Sequence, residues 1–126
     1  MPHVIIEHSA NLADHVDVGD LVAFLHREVL ATGLAPIAAL RTRALRTDHY
    51  VVADGEPANV YVAVTARLGP GRTDDDKRRL ITVLADAVEN QLGSTAADAA
   101  ISVEFQEIDA DLRVNRNGLR ARIGDT

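Results

Sequence analysis

The chain contains no cysteine and no tryptophan. Disulfides, thiolate metal sites, iron–sulfur clusters and cysteine nucleophiles are excluded on that ground alone. Aromatic residues make up only 3%, carried by Phe24, Tyr50, Tyr61 and Phe105, so a core has to be assembled from Val, Leu, Ile and Ala. Such side chains bury little area each. At roughly 25 cal/mol per Å² of apolar surface, a small chain built this way has little stability in reserve, and oligomerisation is an early expectation.

Lysine is nearly missing as well: of 13 basic residues all but Lys77 are arginine. The formal net charge of -6 argues against nucleic acid as a partner, because binding a phosphate backbone needs a concentrated positive surface. Arginine is, however, the residue suited to planar, bidentate contact with carboxylates. No apolar run approaches the roughly 20 residues that span a bilayer. The start, Met-Pro-His-Val-Ile-Ile-Glu, has neither the positive region nor the apolar stretch of a signal peptide. A cytoplasmic protein that makes no membrane contact is expected.

What is present is enough chain, 126 residues, for one domain over 1–126. His3 to His8 contains the continuous apolar run Val4-Ile5-Ile6 of a strand buried on both faces. From Asp17 to Thr32 the period changes, with Val18, Leu21, Val22, Leu25 and Val29 on one helical face, Asp17 as N-cap and Gly33 just beyond the end. Residues Ala38 to Leu45 read as a strand whose period of two puts Arg41 and Arg43 on one face. His49 to Val52 is a weaker strand candidate, and Asp54-Gly55 supplies a turn. Tyr61 to Ala66 is a clear strand ending at Gly69-Pro70-Gly71. A second helix opens at Thr73, whose hydroxyl caps a first turn holding three aspartates, and runs to about Leu92. Ile101 to Ile108 forms a fourth strand, and 109–126 is a polar, Arg-rich tail.

Leu21, Leu25 and Val29 match Leu80, Leu84 and Val88 at a constant spacing of 59 residues. The chain therefore reads as two half-repeats, about 2–46 and 59–108, each a β-α-β unit. Parallel strands within each unit, joined by right-handed crossovers, give an α/β (α+β) fold: a four-stranded mixed sheet with two helices on one face. The other face then needs cover, which again favours an oligomer.

No nucleophile elbow, phosphate loop, dinucleotide fingerprint or zinc-binding histidine pair occurs. His3 and His8 fall on opposite faces of one strand, and His15, His26 and His49 lack a ligand partner at useful spacing, so no metal site is expected. Gly69-Pro70-Gly71-Arg72-Thr73 fits two readings, a tight strand-to-helix turn or an anion site at a helix entrance. Pro2 carries the sharpest chemistry. Once the initiator Met is removed, proline presents a secondary amine at the head of an apolar strand. Desolvation and nearby arginines would lower its pKa towards neutrality, making it a general base.

Several blocks resemble the 5-carboxymethyl-2-hydroxymuconate isomerase family, a branch of the tautomerase superfamily. They are Pro2-His3-Val4-Ile5-Ile6-Glu7, Thr32-Gly33-Leu34-Ala35-Pro36, Leu40-Arg41-Thr42-Arg43, Ala53-Asp54-Gly55, Leu68-Gly69-Pro70-Gly71-Arg72 and Ser102-Val103-Glu104-Phe105. The resemblance implies a tautomerase-like homotrimer that uses no cofactor and an N-terminal proline in each site. It implies an isomerase of bacterial aromatic-compound catabolism, in homoprotocatechuate degradation, that converts a 2-hydroxymuconate-type dienol bearing several carboxylates to its keto isomer. In this sequence Pro2 would move the proton, and Arg41, Arg43 and Arg72 would hold substrate carboxylates and the developing dienolate charge. Ala44-Leu45-Arg46 stands where the family carries aromatic residues, and Asn115-Arg116-Asn117 matches its tail only loosely. The tail is expected to pack on a neighbouring subunit. Two alternatives accompany this reading. One is another superfamily reaction, such as decarboxylation or dehalogenation of a small acid; superfamily members that add water carry an extra acid near the proline, for which Glu7 and Tyr50 are the candidates. The other is a non-catalytic trimeric interaction protein.

Overall fold

Alternation along the strands decides which way the sheet faces. In the computed structural model, which describes residues 1–124, β1 (His3–Ser9) buries Val4, Ile6 and His8 on one side and leaves Glu7 exposed on the other. β3 (Val60–Leu68) repeats the pattern without a break, burying Val60, Val62, Val64, Ala66 and Leu68. Opposite them lie α1 (Val18–Ala31), which buries Leu21, Leu25 and Val29, and α2 (Asp74–Leu92), which buries Leu80, Leu84, Ala87, Val88 and Leu92. These side chains form one apolar cluster between the sheet and both helices. Hydrophobic burial concentrated on one side of the sheet is what fixes its register, since a one-residue slip would invert every strand.

With β2 (Arg41–Thr47) and β4 (Ala99–Glu107) the sheet has the order β2-β1-β3-β4. β1 pairs in parallel with β2, β3 in parallel with β4, and the central pair β1 and β3 is antiparallel. The mixed sheet with two helices on one face is thus as the hydrophobic pattern predicts. Both expected caps are made: the Asp17 carboxylate accepts from the Asp20 amide at 3.0 Å, and the Thr73 hydroxyl accepts from the Asp76 amide at 3.1 Å. Gly33 follows α1 with φ 74°, the left-handed value that a helix end favours and that glycine adopts freely.

Three boundaries differ from the sequence reading. β2 starts at Arg41 because Pro36 turns the chain, its carbonyl accepting from the amides of both Ala39 and Leu40. Residues 49–52 are loop: Val51 is exposed, and the Asn59 side chain holds the segment by donating to the Val52 carbonyl and the Asp54 carboxylate. The tail contains a short third helix, α3 (Arg120–Ile123); positions 125 and 126 of the expected tail lie outside the described residues. No helix among the described residues is long and apolar enough to cross a membrane.

Candidate active site

The sheet order makes β1 an inner strand, so its first residues are enclosed rather than frayed. Met1 and Pro2 are both buried, and the Pro2 carbonyl accepts from the Arg41 amide at 3.1 Å, extending the β1–β2 ladder back to Pro2. At this end of the sheet lies a cavity of about 420 Å³. Pro2, Pro36, Ala39, Gly69 and Pro70 supply its apolar and backbone surface; Arg72, Arg113 and Arg120, with Asn115 and Asn117, supply the polar part. Among the described residues, no aspartate or glutamate lines it. In a chain of net charge -6, the one-sided lining marks a pocket that suits an anion.

Of the four residues expected to form a site, Pro2 and Arg72 line the cavity, Arg41 borders it, and Arg43 stands apart. Arg72 is held at the entrance of α2 by three backbone contacts. Its Nε and Nη2 donate to the Leu34 carbonyl at 3.1 and 2.8 Å, and its Nη1 donates to the Gly69 carbonyl at 3.0 Å. Each terminal nitrogen keeps one further N–H, because a guanidinium offers five donors. Burial and the charge of Arg113 hold the pKa of Arg72 below its ordinary value. Arg41 and Arg43 do share a face, the one opposite the helices. His3 sits between them, its Nε2 3.3 Å from Arg41 Nη1 and its Nδ1 3.1 Å from Arg43 Nη1. Burial and the charges of Arg41, Arg43 and Arg67 lower the His3 pKa, and a neutral imidazole has one lone pair, so it accepts from one arginine at a time. Arg41 also places Nη2 3.0 Å from the Met1 sulfur.

Sequence reasoning missed Arg113. The tail returns over the cavity of its own chain, pinned where Asn117 Nδ2 donates to the Ala38 carbonyl at 2.8 Å. The return brings the Arg113 guanidinium onto Gly69, whose missing side chain makes the room: a Cβ there would stand 2.7 Å from both Nη1 and Nη2. Arg113 Nη1 is buried and has no hydrogen-bond partner among the described residues. The glycine before the turn was a visible signal, but it pointed to close backbone approach, not to which side chain approaches.

An amine at this end of β1 meets opposition to its charge. The Met1 ammonium is held below its ordinary value of 8.0 by burial first, then by the charges of Arg113, Arg41, Arg72 and Arg120. Glu7 and Tyr50 are elsewhere: Glu7 accepts from the Tyr61 hydroxyl on the exposed sheet face, and the Tyr50 hydroxyl accepts from the Asn11 amide. Neither lines the cavity.

A family model for 5-carboxymethyl-2-hydroxymuconate isomerase matches residues 2–123. The 5-carboxymethyl-2-hydroxymuconate Delta-isomerase of Escherichia coli is 28% identical over 123 residues, 96% of this chain and 98% of its own. The crystal structure of a 5-carboxymethyl-2-hydroxymuconate isomerase from Deinococcus radiodurans R1 superposes with a TM-score of 0.88 at 26% identity, covering 96% of this chain and 92% of that one. A fused 4-OT, described as a wild type symmetric trimer, shares the fold with a TM-score of 0.58 at 24% identity over 92% of each chain. With a match that starts at the candidate base and runs through the tail over the cavity, the chain belongs to the 5-carboxymethyl-2-hydroxymuconate isomerase family.

Proposed function

We propose that this protein ketonises a 2-hydroxymuconate-type dienol bearing several carboxylates, such as 5-carboxymethyl-2-hydroxymuconate, with Pro2 as the proton carrier. The observation that carries the reading is a proline at the head of an inner strand, lining a cavity into which Arg72, Arg113 and Arg120 bring positive charge. Met1 lines the same cavity. Its removal converts the Pro2 amide nitrogen to a secondary amine and vacates space for substrate.

The neutral amine accepts the proton of the 2-hydroxyl, leaving a dienolate. Its negative charge falls in a cavity edged by Arg41 and lined by Arg72, and the fixed positive groups lower the barrier by opposing that charge without reorganising. The prolyl ammonium returns the proton to a carbon of the conjugated system, and the base is regenerated. One proton leaves and one arrives, so the reaction calls for no redox partner. Arg43 donates to His3 off the cavity, so in this reading Arg72 and Arg41 stand nearer the dienolate than Arg43 does. Glu7 and Tyr50, the candidates for the extra acid of the water-adding variants, lie away from the cavity. A non-catalytic role is the second reading, and it would apply to a protein that keeps Met1, whose side chain lines the cavity. Intact mass of natively expressed protein decides, because retention of Met1 leaves no amine on Pro2.

The direct test follows ultraviolet decay of the dienol against pH. The active form is the neutral amine, so kcat/KM falls as pH drops through the amine pKa. Burial and the charges of Arg113, Arg41, Arg72 and Arg120 lower the pKa of the Met1 amine beside this position, and the same surroundings should hold the midpoint of the acid limb below the ordinary value of an exposed N-terminal prolyl amine. A midpoint above that value would refute the electrostatic part of the proposal.

The proposed setting is bacterial aromatic-compound catabolism in the cytoplasm, in homoprotocatechuate degradation, and the proposed assembly is a homotrimer. Two features support assembly: the sheet face opposite the helices is uncovered, with Leu45 exposed on it, and Leu112, Val114 and Leu119 of the tail are exposed apolar residues. Light scattering should return the mass of three chains; a monomer would count against the assembly and the reading together.

A further inference from the structure

Three guanidinia line the cavity, and two of them, Arg72 and Arg113, are in unequal circumstances. Arg72 is fastened to the Leu34 and Gly69 carbonyls through all three of its nitrogens. Arg113 Nη1 is buried without a partner. A buried cationic N–H that bonds to nothing is costly unless something else supplies the acceptor. Among the described residues, no carboxylate lines the cavity to do so.

Arg113 is also deliberately accommodated. Gly69 does not have the left-handed φ that would by itself demand glycine, yet a Cβ at this position would collide with the guanidinium at 2.7 Å. The segment that carries Arg113 is tied at both ends. The Ile108 amide donates to the Leu68 carbonyl at 2.8 Å, and Asn117 holds Ala38 on the far side. The two anchors hold the segment beside the cavity, and the guanidinium that reaches Gly69 from it offers a planar fork that suits a carboxylate.

We infer that Arg113 is the receptor for one carboxylate of the substrate and makes the cavity selective for dianions over monoanions. The inference rests on the isomerase reading for the identity of the ligand, and on the orphaned Nη1 and the Gly69 cradle for the residue. Arg72 is then chiefly the clamp that shapes the wall, and Arg113 the group that reads the ligand.

Calorimetric titration with two unreactive probes of the same carbon chain tests this: the muconate dianion, and sorbate, which lacks one carboxylate. Wild-type protein of verified N-terminus should bind muconate more tightly. Arg113→Met should weaken muconate binding by about 10- to 100-fold, the range for a lost charge-assisted contact, and should bring the two probes close to parity. Arg113→Lys, which keeps the charge without the fork, should fall between. Gly69→Ala should reproduce the loss with little change in melting temperature, since it displaces only the end of a flexible side chain. Muconate affinity that is unchanged in Arg113→Met or in Gly69→Ala overturns the inference, as does a wild type that binds neither probe. The isomerase reading is tested separately by turnover. Dienol ketonisation with undisturbed muconate binding in Arg113→Met would sink the receptor alone. Arg113-dependent muconate binding in a protein that ketonises nothing would sink the isomerase reading alone.

Discussion

Pro2→Ala should lower kcat/KM for dienol ketonisation by roughly 10²- to 10⁴-fold, the usual contribution of a positioned general base. The loss should appear mainly in kcat, because the arginines that bind the carboxylates are untouched. Some activity should survive, since alanine at this position also presents an amine after Met1 is removed, on a backbone without the pyrrolidine ring. The informative companion is wild-type sequence with Met1 retained. An amide nitrogen has its lone pair in resonance with the carbonyl and is no base at any physiological pH. That form should be inactive where Pro2→Ala is only slow. Equal rates for wild type and Pro2→Ala, both verified by mass, would remove Pro2 from the mechanism.

Arg72→Met should cost both activity and stability, in contrast to Arg43→Ala. In the folded chain the Arg72 guanidinium joins the carbonyl of Leu34, just past α1, to that of Gly69, just past β3. Removing it leaves two carbonyls short of donors at the cavity wall and unfastens the two segments from each other. At about 1–3 kcal/mol for each polar group left unsatisfied, a loss of about 2–4 kcal/mol is expected, read as a lower midpoint in urea with an unchanged slope. Arg43 donates only to His3, on an exposed face. Its replacement should leave the midpoint within about 0.5 kcal/mol of wild type, as exposed substitutions usually do. A normal urea midpoint for Arg72→Met would show that the clamp contributes nothing to the fold, and normal turnover would place it outside the site.

The scaffold was legible for a simple reason. Helix and strand periods are properties of neighbouring residues, and the recurrence of Leu21, Leu25 and Val29 as Leu80, Leu84 and Val88 displays the duplicated β-α-β plan without any long-range information. Where the reading slipped, a distant or polar partner had decided. Ala38 and Ala39 have the composition of a strand, but the Pro36 carbonyl turns them. Residues 49–52 carry strand formers and are kept as loop by the side chain of Asn59. Of the site, Pro2 could be found because its chemistry depends on its place in the chain. Arg72 could be found by its place before a helix. Arg113 could not, because it lies 44 residues beyond the glycine that receives it, in a tail whose apolar residues show no period.

The enclosure of Met1 sets an order of events. Met1 is only 9% exposed, packed into the cavity with its sulfur against Arg41, and the bond to be cut lies at the head of an inner strand. An aminopeptidase has to hold the first residues in an extended, accessible form. That form exists while the chain is being made and is scarce once β1 has paired on both sides. If Pro2 is the base as proposed, processing races folding, and molecules that lose the race would be folded, intact and idle. Specific activity then depends on how quickly the protein is synthesised relative to the supply of peptidase, and a slow increase in activity with no change in protein concentration would be the mark of rare unfolding that reopens the terminus.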